Sequence, residues 1–121
     1  MWVKIDDQMP NDPEIDELSD GAFRLYISAL CYSQAELTDG YVPDSRMRRL
    51  TPNYRPSHLK ELTAPSDNPE GPIMLPVDDG YSIRNFAKYN KTRAYWLRKR
   101  KDDAKRLAEW RARKEAEERD E

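Results

Sequence analysis

The chain is short of the residue types that most small catalytic or metal-binding domains rely on. Among 121 residues it has one cysteine, Cys31, and one histidine, His58. A lone thiol cannot close an internal disulfide. One thiol and one imidazole also fall short of a zinc site, which needs several such ligands at set spacings. The pattern suits a reducing compartment. Cys31 lies in an apolar stretch and is expected to pack as a small hydrophobe. There are four glycines, none clustered, so a glycine-rich phosphate loop is excluded. The histidine and the cysteine fall in different predicted helices, which leaves no evident nucleophile–base pair. Acidic groups such as Asp6–Asp7, Asp39, Asp44 and Asp78–Asp79 sit at turns or strand ends, where Asp serves local hydrogen bonding. The inventory predicts a binding protein, with no catalysis and no cofactor. The longest apolar stretch, residues 25–32, is far below the roughly 20 residues that span a bilayer. The opening Met1–Asp7 has no apolar core of signal-peptide length. A cytoplasmic protein without membrane contact is expected.

What is abundant is charge, and it is unevenly placed. Hydrophobic residues make up 37% and charged residues 36%, so the core should be small and part of the chain solvated. Residues 1–83 hold 7 Lys/Arg against 15 Asp/Glu, a net −8. Residues 84–114 hold 13 against 3, a net +10, and residues 115–121 return to −4. A basic segment this concentrated points to a polyanion or an acidic protein as partner.

Local patterns predict the elements. Trp2–Ile5 alternates apolar and polar residues and reads as a short edge strand. Asp12 and Pro13 suit the start of a short helix running to about Leu18. Ser19 caps the clearest helix, which runs to about Glu36 and is apolar on most sides, as a central core helix would be. Thr38-Asp39-Gly40 is a turn, and Tyr41–Pro43 a very short strand. Asp44 or Ser45 caps a second helix over 46–50. Pro56 opens a third over 57–62. After a loop at 65–72, Ile73–Leu75, the turn Asp78-Asp79-Gly80 and Tyr81–Phe86 form a hairpin pattern. Residues 92–119 have no Gly or Pro and high helix propensity, but cations interrupt any a/d seam. The expectation is an α+β, mainly helical chain: a winged helix-turn-helix domain at 1–90 and an extended charged helix at 91–121.

Three stretches carry a family resemblance. They are Leu18-Ser19-Asp20-Gly21-Ala22-Phe23-Arg24-Leu25-Tyr26, Leu37-Thr38-Asp39-Gly40-Tyr41-Val42-Pro43, and Gly80-Tyr81-Ser82-Ile83-Arg84-Asn85-Phe86 followed by Tyr89-Asn90 and a basic tail. Together they resemble small winged helix-turn-helix proteins of actinobacterial phages and prophages, akin to the N-terminal domains of phage replication-organiser proteins. The resemblance covers roughly residues 1–95. It implies a phage-type DNA-binding protein in replication or transcription control, working in the cytoplasm of a bacterial host. The chain departs from the pattern in its 65–72 loop and its short third helix.

In such a fold the third helix enters the major groove, which makes Arg55, Ser57, His58 and Lys60, with Tyr54 beside them, candidates for DNA contacts. The plainer reading is a polar helix face, since Glu61 sits there too. Arg46, Arg48 and Arg49 are either a phosphate clamp or ion-pair partners of the acidic stretch from Asp12 to Asp20. Arg93, Arg98, Lys99, Arg100, Lys101, Lys105 and Arg106, continued by Arg111, Arg113 and Lys114, would release counterions from a duplex. Alternatively they form a solvated helix, supported by pairs such as Lys99–Asp103 and Lys105–Glu109. Trp96 and Trp110 share a stripe and could stack on bases or on a partner, or fold back on the winged helix. Duplex DNA is the expected partner. The rival reading is a protein-interaction module on the same scaffold, docking on a host replication or transcription component. A homodimer through the C-terminal helix is a further option.

Overall fold

The N-terminal arm enters the fold through a capped turn. After a 3-10 turn at Met9–Asn11, the Asp12 carboxylate accepts from the Glu14 N–H at 3.0 Å and Pro13 presets the first turn of helix α1 (Pro13–Asp16). The computed structural model describes residues 1–120. Ser19 then starts helix α2 (Asp20–Glu36): its backbone is extended and its hydroxyl accepts from the Ala22 N–H at 3.2 Å. The α2 helix ends at Leu37, which adopts the left-handed conformation at φ 55° and ψ 50°.

Buried Ser33 holds the exit from α2. Its hydroxyl accepts from the Gly40 N–H at 2.6 Å and lies 2.7 Å from the Thr38 hydroxyl, which donates to the Tyr41 carbonyl. That chain of bonds turns the backbone into strand β1 (Tyr41–Pro43). Helix α3 (Asp44–Met47) follows as a single turn, then helix α4 (Pro56–Thr63) with proline in its first turn. Strands β2 (Met74–Val77) and β3 (Gly80–Ile83) form a hairpin around Asp78-Asp79, with Asp79 at φ 56°. Both β1 and β2 pair antiparallel with β3, giving the sheet order β1-β3-β2.

Strand alternation assigns the two faces of the sheet. Val42, Met74 and Ile83 point to one face and are buried against Leu25, Ala29, Met47 and Leu62 from the helices. Complete burial of Leu25, Met47 and Leu62 is worth about 1.5–3 kcal/mol each. The core is small and lies between α2, α4 and the sheet, as the modest apolar fraction requires. After β3, Asn85 takes a left-handed conformation at φ 61° and diverts the chain into helix α5 (Phe86–Tyr89). The chain divides into two units, Met1–Asn90 and Lys91–Glu121. The second is helix α6 (Arg93–Asp120), none of whose residues is buried. No helix among the described residues is long and apolar enough to cross a membrane.

Several expectations need correction. Trp2–Ile5 is not a strand; the Lys4 N–H donates to the Asn90 carboxamide oxygen at 2.8 Å, and Trp2 is 86% exposed. A side chain thus takes the place of a sheet ladder for this arm. Burial on α2 is confined to one side, and Phe23 and Cys31 are exposed. Cys31 is therefore not a packed hydrophobe. The second helix ends at Met47, so Arg49 lies in the turn after it. The second hairpin strand ends at Ile83, and Phe86, read as its last residue, opens helix α5.

Candidate nucleic-acid interface

The cations of the first unit are concentrated in one segment. Residues 44–60 hold five of the nine Lys/Arg found in residues 1–90, namely Arg46, Arg48, Arg49, Arg55 and Lys60. All five are exposed. The same segment holds one carboxylate, Asp44, while the rest of residues 1–90 holds fourteen. The segment is thus net positive within a stretch, residues 1–90, that is otherwise acidic.

Asp44 is fully engaged. Its Oδ2 accepts from Arg48 Nη2 at 3.0 Å and its Oδ1 from the Tyr81 hydroxyl at 3.0 Å, while its N–H donates to the Asp79 carbonyl. Burial, and then the bond to Asp44, push the Tyr81 phenol above its usual range. Among the described residues, no carboxylate pairs with Arg46, Arg49, Arg55 or Lys60. The guanidinium of Arg46 lies 5.9 Å from the centroid of the Tyr32 ring. The acidic stretch from Asp12 to Asp20 does not neutralise the cluster. Its Glu14 instead pairs with Arg84, at 3.2 Å.

The candidate contacts on α4 divide into two groups. Arg55, Ser57 and Lys60 are exposed. His58 is occupied by the fold: its Nδ1 accepts from the Arg55 N–H at 3.3 Å, and its own N–H donates to the Arg55 carbonyl at 2.9 Å. Its imidazole also covers Gly21, where an added Cβ would collide with the ring. His58 is therefore a packing and capping residue between α4 and α2. Tyr54 is half-buried against the core. Glu61 faces the start of α2, accepting from the Ser19 N–H at 2.8 Å and the Ser19 hydroxyl at 2.6 Å. Those two bonds hold its carboxyl below the usual range. With Glu61 tied to Ser19, the carboxylate that counted against this helix has a structural role.

The α6 helix spreads its charge around its whole circumference. Arg98, Lys99, Arg100, Lys101, Lys105 and Arg106 are exposed, as is Arg93. Lys99 and Arg106 converge on Asp103 at 3.6 and 3.1 Å, while Lys105–Glu109 is not an ion pair. Rings on this helix already have cationic neighbours: Lys91 lies 5.2 Å from the Tyr95 centroid and Lys114 lies 5.7 Å from that of Trp110. Tyr95 and Trp96 meet edge to face at 5.2 Å.

The first unit also has a cavity, away from the cationic segment. It has a volume of about 500 Å³ and is lined by Ile15, Tyr26, Arg84, Phe86 and Asn90, and by the arm residues near Lys4. Burial pushes the Tyr26 phenol up, against the opposing pull of Arg84. None of the cations singled out in the sequence lines this cavity. The Arg84 guanidinium, missed in the sequence, is nearly buried and bonds Glu14 and the Gly71 carbonyl, the latter at 2.8 Å. No group of His, Cys, Asp and Glu among the described residues could hold a metal ion. Comparison with protein-family models, curated proteins and solved structures finds no match for this chain.

Proposed function

We propose that residues 1–90 are a winged helix-turn-helix domain and that the protein binds duplex DNA through the exposed cations of α3, α4 and the turn between them. The observation that carries this reading is the gathering of five exposed cations in residues 44–60 on a body that is otherwise acidic. The element order α2-β1-α3-α4-β2-β3 and the sheet order β1-β3-β2 support the scaffold. Arg46 and Arg49 would hold phosphates, and Arg55, Ser57 and Lys60 would approach base edges or phosphates. The α6 helix would add affinity that does not depend on sequence, through its dense Lys and Arg. A phage-type role in replication or transcription control is what the sequence resemblance implies for such a protein.

The test uses the full chain and a mixed-sequence duplex, followed by fluorescence anisotropy at several salt concentrations. In Arg46→Ala/Arg49→Ala/Arg55→Ala/Lys60→Ala, the salt slope should shrink by up to about 3.6, at 0.9 per lost phosphate contact. An unchanged affinity and slope would remove this face from the interface.

A further inference from the structure

The sheet has a second face that no helix of residues 1–90 covers. Cross-strand partners share a face, so Tyr41 and Leu75 lie with Ser82, and Pro43 and Val77 lie with Gly80, opposite the buried Val42, Met74 and Ile83. Leu75 and Val77 are 49% and 41% exposed there. Close contacts hold this surface together. The Tyr41 ring lies over Gly80, where any Cβ would strike both the ring and the Val42 carbonyl, and the Tyr41 hydroxyl donates to the Asp78 carbonyl at 3.1 Å. This apolar floor therefore exists before any partner arrives.

The segments that contain the strands carry charge of one sign, although Arg48 pairs with Asp44 at the end of β1. Residues 36–44 and 64–83, which contain all three strands, hold seven carboxylates and no Lys or Arg. Asp78 and Asp79 form the exposed tip of the hairpin. A wing that gripped a phosphate backbone would need cations there, so duplex DNA is the wrong partner for this surface. Addition of an extended strand is also disfavoured. In β2, Leu75 and Val77 sit opposite Ser82 and Gly80, and Pro76, between them, has no N–H to offer an incoming strand.

We propose that the outer sheet face, centred on Leu75, Val77 and Tyr41, docks a basic amphipathic helix of a protein partner. The apolar stripe of that helix would cover Leu75 and Val77, and its flanking Lys or Arg would meet Asp78 and Asp79. The face is separate in sequence from the Arg46–Lys60 cluster, and the proposal does not depend on DNA binding.

The probe is a synthetic helical peptide of leucine and lysine in amphipathic order, titrated into the full-length, isotope-labelled protein and followed by amide chemical shifts. Shifts should be largest in residues 39–44 and 75–82. Leu75→Ser/Val77→Ser should weaken binding at least tenfold while the β3 amide spectrum stays in place. Asp78→Asn/Asp79→Asn should weaken it several-fold and flatten its salt dependence. A leucine–glutamate peptide of the same periodicity should not bind. The proposal is overturned if the lysine peptide does not bind, or if its shifts map elsewhere. It is also overturned if the serine pair binds unchanged. Protection of these amides by duplex DNA, or a dimer of the protein alone abolished by the serine pair, would assign the face to another occupant.

Discussion

The Glu61 carboxylate receives both the backbone N–H and the hydroxyl of Ser19, at 2.8 and 2.6 Å, and so ties α4 to the first turn of α2 across 42 residues of sequence. Ser19 is thereby used in both directions, since its oxygen also caps α2 through the Ala22 N–H. The two bonds favour the ionised carboxylate, so the Glu61 pKa in the folded chain lies below its unfolded value. Stability from this link is complete above the unfolded pKa and is lost as pH falls through the depressed folded value. Glu61→Gln should cost about 1 kcal/mol near neutrality and should flatten the acid limb of the stability curve. Urea unfolding across the acid range is the check; parallel curves for the two proteins would contradict the link.

The imidazole of His58 fills the space beside Gly21. Gly21→Ala should therefore destabilise the fold by about 1–3 kcal/mol through overpacking, although alanine is the better helix former. In a His58→Ala background the same change should cost much less. A double-mutant cycle of thermal melts measures the difference, and simple additivity would show that the ring can move aside freely.

Ser33 is buried and serves the Gly40 N–H, the Thr38 hydroxyl and, through Thr38, the Tyr41 carbonyl. Ser33→Ala leaves a buried donor without its acceptor. The expected loss is about 1–3 kcal/mol, read as a lower urea midpoint at constant m-value. A change below a few tenths would mean that another group takes over the role.

Arg84 joins three segments: its Nη1 reaches Glu14 in α1 and the Gly71 carbonyl, and Glu14 in turn accepts from the Ser66 hydroxyl at 2.9 Å. Arg84→Met should cost about 2–3 kcal/mol, since Glu14 and the carbonyl lose their buried donor. Amide exchange should accelerate around residues 66–71 before the rest of the fold. Uniform acceleration would instead indicate a global loss of packing.

Local chemistry made much of the fold legible in the sequence. The Ser19 cap, the Thr38-Asp39-Gly40 turn into β1 and the Pro56 helix start all rest on neighbours a few residues away. Features set by distant partners were not readable. The Trp2–Ile5 alternation matches a strand, but the arm pairs with no strand of the sheet, and the Asn90 side chain takes the Lys4 backbone donor. Cys31 and the buried Ala29 share one apolar run, and only the placement of α4 and the sheet decides which is covered. At the candidate interface, the cations were visible as charge. The engagement of His58 with Gly21, and of Glu61 with Ser19, depends on contacts over 37 and 42 positions. No local pattern marks those contacts.

Duplex binding through the exposed cations of residues 44–60 and of α6 implies contact with several phosphates. The most direct test is the affinity of the unmodified full chain for a mixed-sequence duplex as a function of salt. Phosphate contacts by these cations should give a linear fall of log Kobs with log salt, with a slope of about −4.5 or steeper, corresponding to at least five neutralised phosphates. No binding at low salt, or a slope near zero, would contradict it.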